Sequence, residues 1–299
     1  MADPLGMKVV GISAALASSI SWAIGTVLLK TVGDGISSPA MTLAKGVISI
    51  VLLAAVLALS GVAPMGRDAL ILLSLSGLLG IALSDTCFFE ALKDLGPLPL
   101  VLMMLLGQVL TVVFAVLFLG ERPSSTAWIG IVLVVSGIGV VLTANLSGAI
   151  RTAGLRGIAY GSLSLVGMAA STIVAKMALT DVSAMQATLV RMAAGTLGIF
   201  LLGGATGRLG AWMNPFSSTR VATQFFLAVC VVTFGGFWLS LLAIKCLDVS
   251  TANTLISTEP LFVLPLAAIF LGEKITGKAI AGTFVAVVGI ALLCLSGNP

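Results

Sequence analysis

Histidine is absent from this chain of 299 residues, tyrosine occurs once, and only 9% of the side chains are charged. Without histidine no side chain titrates near neutrality by default, so any proton relay would run through carboxylates or a less direct route. Soluble domains carry roughly 25% charged residues. With 59% hydrophobic residues, no soluble fold of this length hides its apolar surface, and the bilayer is its solvent. The four cysteines (Cys87, Cys230, Cys246 and Cys294) sit in or at the ends of apolar runs without metal-ligand spacing. They read as small packing residues. The sequence gathers no cluster of nucleophile, base or metal ligands, so neither catalysis, a resident metal nor a cofactor is expected. The formal charge of +4 is ordinary for a membrane protein and gives no reason to expect nucleic acid.

What is present is a series of ten apolar runs, near 7–30, 39–60, 69–92, 97–119, 126–145, 155–178, 184–205, 219–245, 249–271 and 276–296. A membrane-spanning helix needs about 20 predominantly apolar residues. The runs are continuous rather than alternating, which favours helices over a closed barrel. Connections are short and rich in turn residues, as in Gly33-Asp34-Gly35, Gly96-Pro97 and Asn214-Pro215. Neither a soluble domain nor an ATPase module is expected between them. The first run is too long for a removable leader. The expected fold is an all-α integral membrane protein.

The second half repeats the first. At a displacement of 152, Ala91, Lys93 and Leu95 fall on Ala243, Lys245 and Leu247, and Phe118-Leu119-Gly120-Glu121 falls on Phe270-Leu271-Gly272-Glu273. At a displacement of 146, Gly11, Ser18, Thr26 and Lys30 fall on Gly157, Ser164, Thr172 and Lys176, and Lys45 falls on Arg191. Each copy holds five runs, and an odd number turns the second copy upside down in the membrane. The expectation is ten transmembrane helices arranged as two inverted five-helix repeats, residues 1–148 and 149–299. Inverted halves are a signature of alternating-access transporters. Two complete halves in one chain fit a functional monomer.

Leu119-Gly120-Glu121-Arg122 and Leu271-Gly272-Glu273-Lys274 close the fourth span of each half, followed by Gly130 and Gly137 in one copy and Gly282 and Gly289 in the other. With Ser21-Trp22 and Glu259-Pro260, the chain resembles the drug/metabolite transporter superfamily, and within it the EamA family of ten-helix permeases. It departs from the pattern in having Gly107-Gln108 where the second half has Glu259-Pro260, so the two half-sites differ chemically. The resemblance implies a secondary transporter of the bacterial inner membrane that exports amino acids or related small metabolites. Exporters of cationic drugs or toxic amphiphiles are the alternative. Five loop cations on the terminal side against eight on the other point to external termini. The resemblance implies cytoplasmic termini, and it outweighs that margin.

Charges within spans are the most informative residues, because each costs at least about 2.5–3.5 kcal/mol at the bilayer centre on insertion scales. Glu259, mid-way along the ninth run, is a candidate to bind a substrate ammonium or a proton, or to pair internally with Lys45 or Arg191. Asp85, in the third run, either contacts substrate or forms a buried pair. Trp22, Tyr160, Phe237 and Trp238 are mid-run aromatics suited to a cavity wall. Ser21, Ser84, Gln108, Asn253 and Ser257 bring hydrogen-bonding groups to the same cavity or bond across helices. Lys45 and Arg191, near helix starts, are read as snorkelling to the surface, the alternative being a substrate carboxylate. Glu121 and Glu273 are read as surface ion pairs with Arg122 and Lys274. One match is rejected: Gly272–Lys278 follows a phosphate-loop pattern, but Ala279 stands where a hydroxyl must hold magnesium and no strand precedes it. A cavity with so few charges suits small amphiphiles better than phosphorylated sugars.

Overall fold

Long apolar runs in lipid leave the backbone no hydrogen-bond partner but itself, and helices follow. The computed structural model describes residues 4–33, 35–95, 97–144, 155–180, 182–259, 261–262, 265–266 and 277–295, with no strand among them. The main helices are α1 (Pro4–Val32), α2 (Ser38–Ser60), α3 (Arg67–Leu95), α4 (Pro97–Phe118), α5 (Ser125–Ala144), α6 (Leu155–Ala178), α7 (Ala184–Ala205), α8 (Thr219–Cys246), α9 (Val249–Ile256) and α10 (Gly277–Leu295). Six of these, α1, α2, α3, α6, α7 and α8, are long and apolar enough to cross a bilayer. Shorter apolar stretches occupy α4, α5 and α10. Pro260, Glu273, Lys274 and most of the rejected phosphate-loop match lie outside the described residues. Leu59, Leu117 and Phe284 are among the large apolar side chains left exposed, as a lipid-facing surface requires.

Contacts cross between the halves in matched fashion. Helix α1 packs against α8 and α9, whereas α6 packs against α3 and α4; α2 lies on α7, and α5 on α10. Small residues make these approaches close. A Cβ on Gly11 would stand 2.6–2.9 Å from Leu247 and Cys246, and one on Gly157 would stand 2.7–2.8 Å from Leu95 and Asp94. Helices α5 and α10 meet backbone to backbone: a Cβ on Gly137 would lie 2.6 Å from the Gly282 carbonyl, and one on Gly289 would lie 2.8 Å from the Gly130 carbonyl. The glycines that recur in the sequence are therefore the contact surface of this pair. Gly157 and Gly161 of α6 face α3 and α4, while Gly207 adopts a positive φ of 64° in the turn after α7.

One end of the bundle is closed by side chains that satisfy helix termini. Glu121 accepts hydrogen bonds from the Val249 and Ser250 N–H groups at 2.6 and 3.0 Å and from the Ser250 hydroxyl at 2.6 Å. The first turn of a helix has unpaired N–H groups and a positive dipole end, which a carboxylate satisfies. The expected Glu121–Arg122 ion pair is thereby corrected: three converging donors hold the carboxylate at the start of α9. Lys176 donates to the Ile244 and Leu247 carbonyls at 2.6 and 2.8 Å, and Lys245 donates to the Val182 carbonyl at 2.7 Å. Asp248 lies between these groups, just outside the spans. Burial raises its carboxyl pKa, nearby Glu121 raises it further, and Lys176 opposes both.

Glu121→Ala is expected to lower the unfolding temperature of the detergent-purified protein, through a loss of roughly 1–3 kcal/mol from orphaned donors. Asp248→Asn is expected to raise it at neutral pH. The folded-state pKa of Asp248 is raised, so the wild-type penalty is full above that value and gone below the unfolded one. The advantage of the Asn variant should therefore shrink as pH falls, which thermal melts across pH 4–8, a range of about four units around the carboxylate region, would read directly.

Candidate functional site

Three backbone irregularities surround the centre of the bundle. A proline at 260 has no N–H to return to Ile256, and α9 ends at Ile256. Ser257 and Thr258 form a turn, in which the Thr258 N–H donates to the Leu255 carbonyl at 3.2 Å. Helices α3 and α8 each contain one π-helical segment, Leu78–Asp85 and Val231–Trp238. Such segments shift the register of side chains along a helix and occur frequently at functional sites.

These irregularities border a cavity of about 220 Å³ whose walls come from both halves. Most of its lining is apolar, including Leu29, Phe88, Leu92, Met104, Leu165 and Met168. Four ionisable groups also line it: Lys45, Asp85, Arg191 and Glu259. Lys45 and Asp85 form a direct ion pair, their side chains 3% and 8% exposed. The Lys45 ammonium also lies 4.6 Å from the centre of the Phe237 ring, in cation–π range. Glu259, next to the turn at Ser257 and Thr258, accepts a hydrogen bond from the Thr26 hydroxyl at 3.1 Å. Arg191 donates to the Ser171 hydroxyl at 3.0 Å. No described carboxylate lies within ion-pair distance of it, and its Nε has no partner.

The snorkelling reading of Lys45 and Arg191 is therefore corrected: they are 2% and 6% exposed. The lysine pairs with Asp85 and the arginine donates to Ser171, both inside the protein. Of the residues singled out from the sequence, Trp22, Asp85, Gln108, Phe237, Asn253, Ser257 and Glu259 line the cavity. Trp22 stacks edge-on against Phe237 with ring centres 4.9 Å apart. Asn253 donates to the Gln108 carbonyl at 3.2 Å, linking α9 to α4. Ser21, Ser84, Tyr160 and Trp238 are placed elsewhere. Ser21 donates back to the Ala17 carbonyl and packs against Gly235. Ser84 donates to Leu79, while its own carbonyl accepts from Ser164, so it joins α3 to α6. Tyr160 lies under Arg156, 5.5 Å from ring centre to guanidinium. Trp238 packs against the hydrophobic core.

Thr26 is a cavity residue that sequence reasoning passed over, and Lys45 and Arg191 are cavity residues that it weighed but read as snorkelling. The missed signal is the repeat itself. At a displacement of 146, Trp22 and Met168, Thr26 and Thr172, and Lys45 and Arg191 are equivalent pairs, and both members of each line the cavity. At a displacement of 152 the same holds for Asp85 and Phe237, Leu92 and Ile244, and Met104 and Ile256.

A central cavity between matched halves of an apolar helical bundle is the arrangement of a solute carrier, and comparison with known proteins names the group. The profile of the EamA-like transporter family matches twice, at residues 9–143 and 155–295. This chain belongs to the EamA-like transporter family. It is thus a multi-pass membrane protein of a transporter family. A "probable terminal-alkyne amino-acid exporter" of Streptantibioticus cattleyicolor is 46% identical over 48 residues, a stretch covering 16% of this chain and 16% of that protein. A solved structure titled only "Crystal structure of protein" superposes with a TM-score of 0.74 at 18% identity, covering 98% of this chain and 99% of the other. That likeness concerns the fold.

Removing one member of the Lys45–Asp85 pair leaves a buried charge uncompensated, a loss of roughly 3–5 kcal/mol, whereas removing both relieves it. Lys45→Met and Asp85→Asn should each lower the unfolding temperature and folded yield. The double variant should recover much of the loss, as thermal melts of all four proteins in one detergent would show.

Proposed function

We propose that this chain is a secondary transporter that exports amino acids or related small metabolites across the bacterial inner membrane by alternating access. The observation that carries the reading is the cavity wall: repeat-equivalent residues from both halves surround one mostly apolar space that holds charges of both signs. A cavity of that composition suits a small amphiphile, with hydrophobic fit dominating and a few polar groups fixing orientation. Ten helices in two inverted repeats, residues 1–148 and 149–299, would let the same wall face either side of the membrane. The crossing contacts of α1 with α8 and of α6 with α3 support that arrangement. So do the π-helical segments at matched places in α3 and α8. The similarity to a probable amino-acid exporter supports the substrate class. In this reading the protein acts as a monomer in lipid, needs no cofactor and catalyses no covalent reaction.

A cationic drug or toxin is the second reading, favoured by one observation. Glu259 lines the cavity with a single hydroxyl, that of Thr26, as its hydrogen-bond donor among the described residues. A cationic amphiphile would find its counter-charge there.

Purified protein in liposomes loaded with radiolabelled methionine, phenylalanine, threonine or lysine should give saturable flux, blocked by unlabelled analogue. Comparing flux with and without a pH gradient reads proton coupling. Flux of quaternary ammonium dyes but of no amino acid would replace the first reading with the second.

A further inference from the structure

Arg191 carries the least-matched charge in the cavity wall. It is 6% exposed, and its Nε lacks any hydrogen-bond partner. Among the described residues, Asp85 is the one carboxylate that acts on it electrostatically, and it is committed to the Lys45 ammonium. Its position is nonetheless fixed. Ser171 receives one guanidinium N–H at 3.0 Å, and Gly77 and Gly80 of α3 leave the room that the arginine fills: a Cβ on Gly80 would lie 3.2 Å from the guanidinium Nη2. A buried cation without an ionic partner costs several kcal/mol, and a guanidinium presents a planar fork that matches a carboxylate. A bound anion that completes the fork would remove that cost. With Lys45 already neutralised, one unmatched cation remains among the described cavity residues, which fits a monoanion rather than a phosphate.

Resting on the transport reading, we propose that Arg191 is the specificity-determining anchor for the substrate's carboxylate. A zwitterionic substrate would set its carboxylate on Arg191 and its ammonium towards Glu259, the other unmatched charge of the wall, with its apolar side chain among Met104, Leu165 and Met168. A carboxylate that loses its charge by esterification loses the anchor, although size and apolar surface are kept. The repeat-equivalent Lys45 does not serve this role, because Asp85 occupies it.

The test uses full-length protein in liposomes, wild type beside Arg191→Gln and Arg191→Lys, with uptake of labelled methionine competed by unlabelled methionine, methionine methyl ester, hexanoate and chloride. Wild type should prefer the free acid over the ester by about tenfold or more, the difference expected for a charge-assisted hydrogen bond. Hexanoate should compete and chloride should not. In Arg191→Gln the acid should fall to the level of the ester, and Arg191→Lys should keep part of the preference. Ligand-induced shifts in unfolding temperature give the same ranking without transport. Equal recognition of acid and ester by wild type overturns the proposal and leaves the transport reading standing; so does an unchanged preference in Arg191→Gln. Chloride competing as well as hexanoate overturns the carboxylate assignment. Hexanoate raising the wild-type unfolding temperature while no amino acid does so upholds the anchor and sinks the amino-acid reading. If Arg191→Gln fails to fold, the wild-type acid-to-ester ratio and the Arg191→Lys variant decide.

Discussion

A charge inside a bilayer must find its partner within the protein or reach water, because lipid offers neither counter-ion nor hydrogen bond. Lys45, Asp85, Arg191 and Glu259 all meet this requirement at one cavity. Lys45 and Asp85 neutralise each other and draw α2 and α3 together. Arg191 and Glu259 are left with hydroxyl partners alone among the described residues, Ser171 for one and Thr26 for the other. The centre of the molecule therefore holds a guanidinium and a carboxyl group in an otherwise oily wall. That combination separates the cavity from a plain apolar gap between helices.

The backbone around the cavity departs from regular helix where the wall needs shape. Irregular backbone at membrane depth is tolerated only when protein or a cavity surrounds it. The π-helical segments of α3 and α8 end beside or within the lining, and the turn at Ser257 and Thr258 delivers Glu259 to it. Elsewhere small residues close the space. Gly11 and Gly157 bring the first helix of each half against the third helix of the other, and the glycines of α5 and α10 press those helices into backbone contact. Tight packing at the periphery and widened helices at the centre are two aspects of one design.

The residues that close the helix ends and those that line the cavity do different jobs. Glu121, in the Leu-Gly-Glu-Arg motif, caps α9. Lys176 and Lys245 tie the end of α8 to its neighbours. Satisfying helix ends holds the bundle in register whatever passes through it. The family match therefore fixes the transporter family and leaves the solute open.

Composition and periodicity alone determined that the chain is helical and membrane-embedded, since its apolar runs are continuous where the strands of a closed barrel would alternate. The internal repeat was legible as well, and its equivalent positions turned out to share the cavity: Thr26 with Thr172, Lys45 with Arg191. Glu259 and Asp85 stood out because charge is costly in a span. The sequence could not assign partners. Whether Lys45 bends to the surface or inward depends on Asp85, which lies 40 residues away in the chain and beside it in space. Ser21, Ser84 and Trp238 have the same chemistry as residues that line the cavity, yet their helix faces turn them to neighbouring helices. Facing is set by how helices pack and where a π segment shifts the register, and those are properties of the assembled bundle.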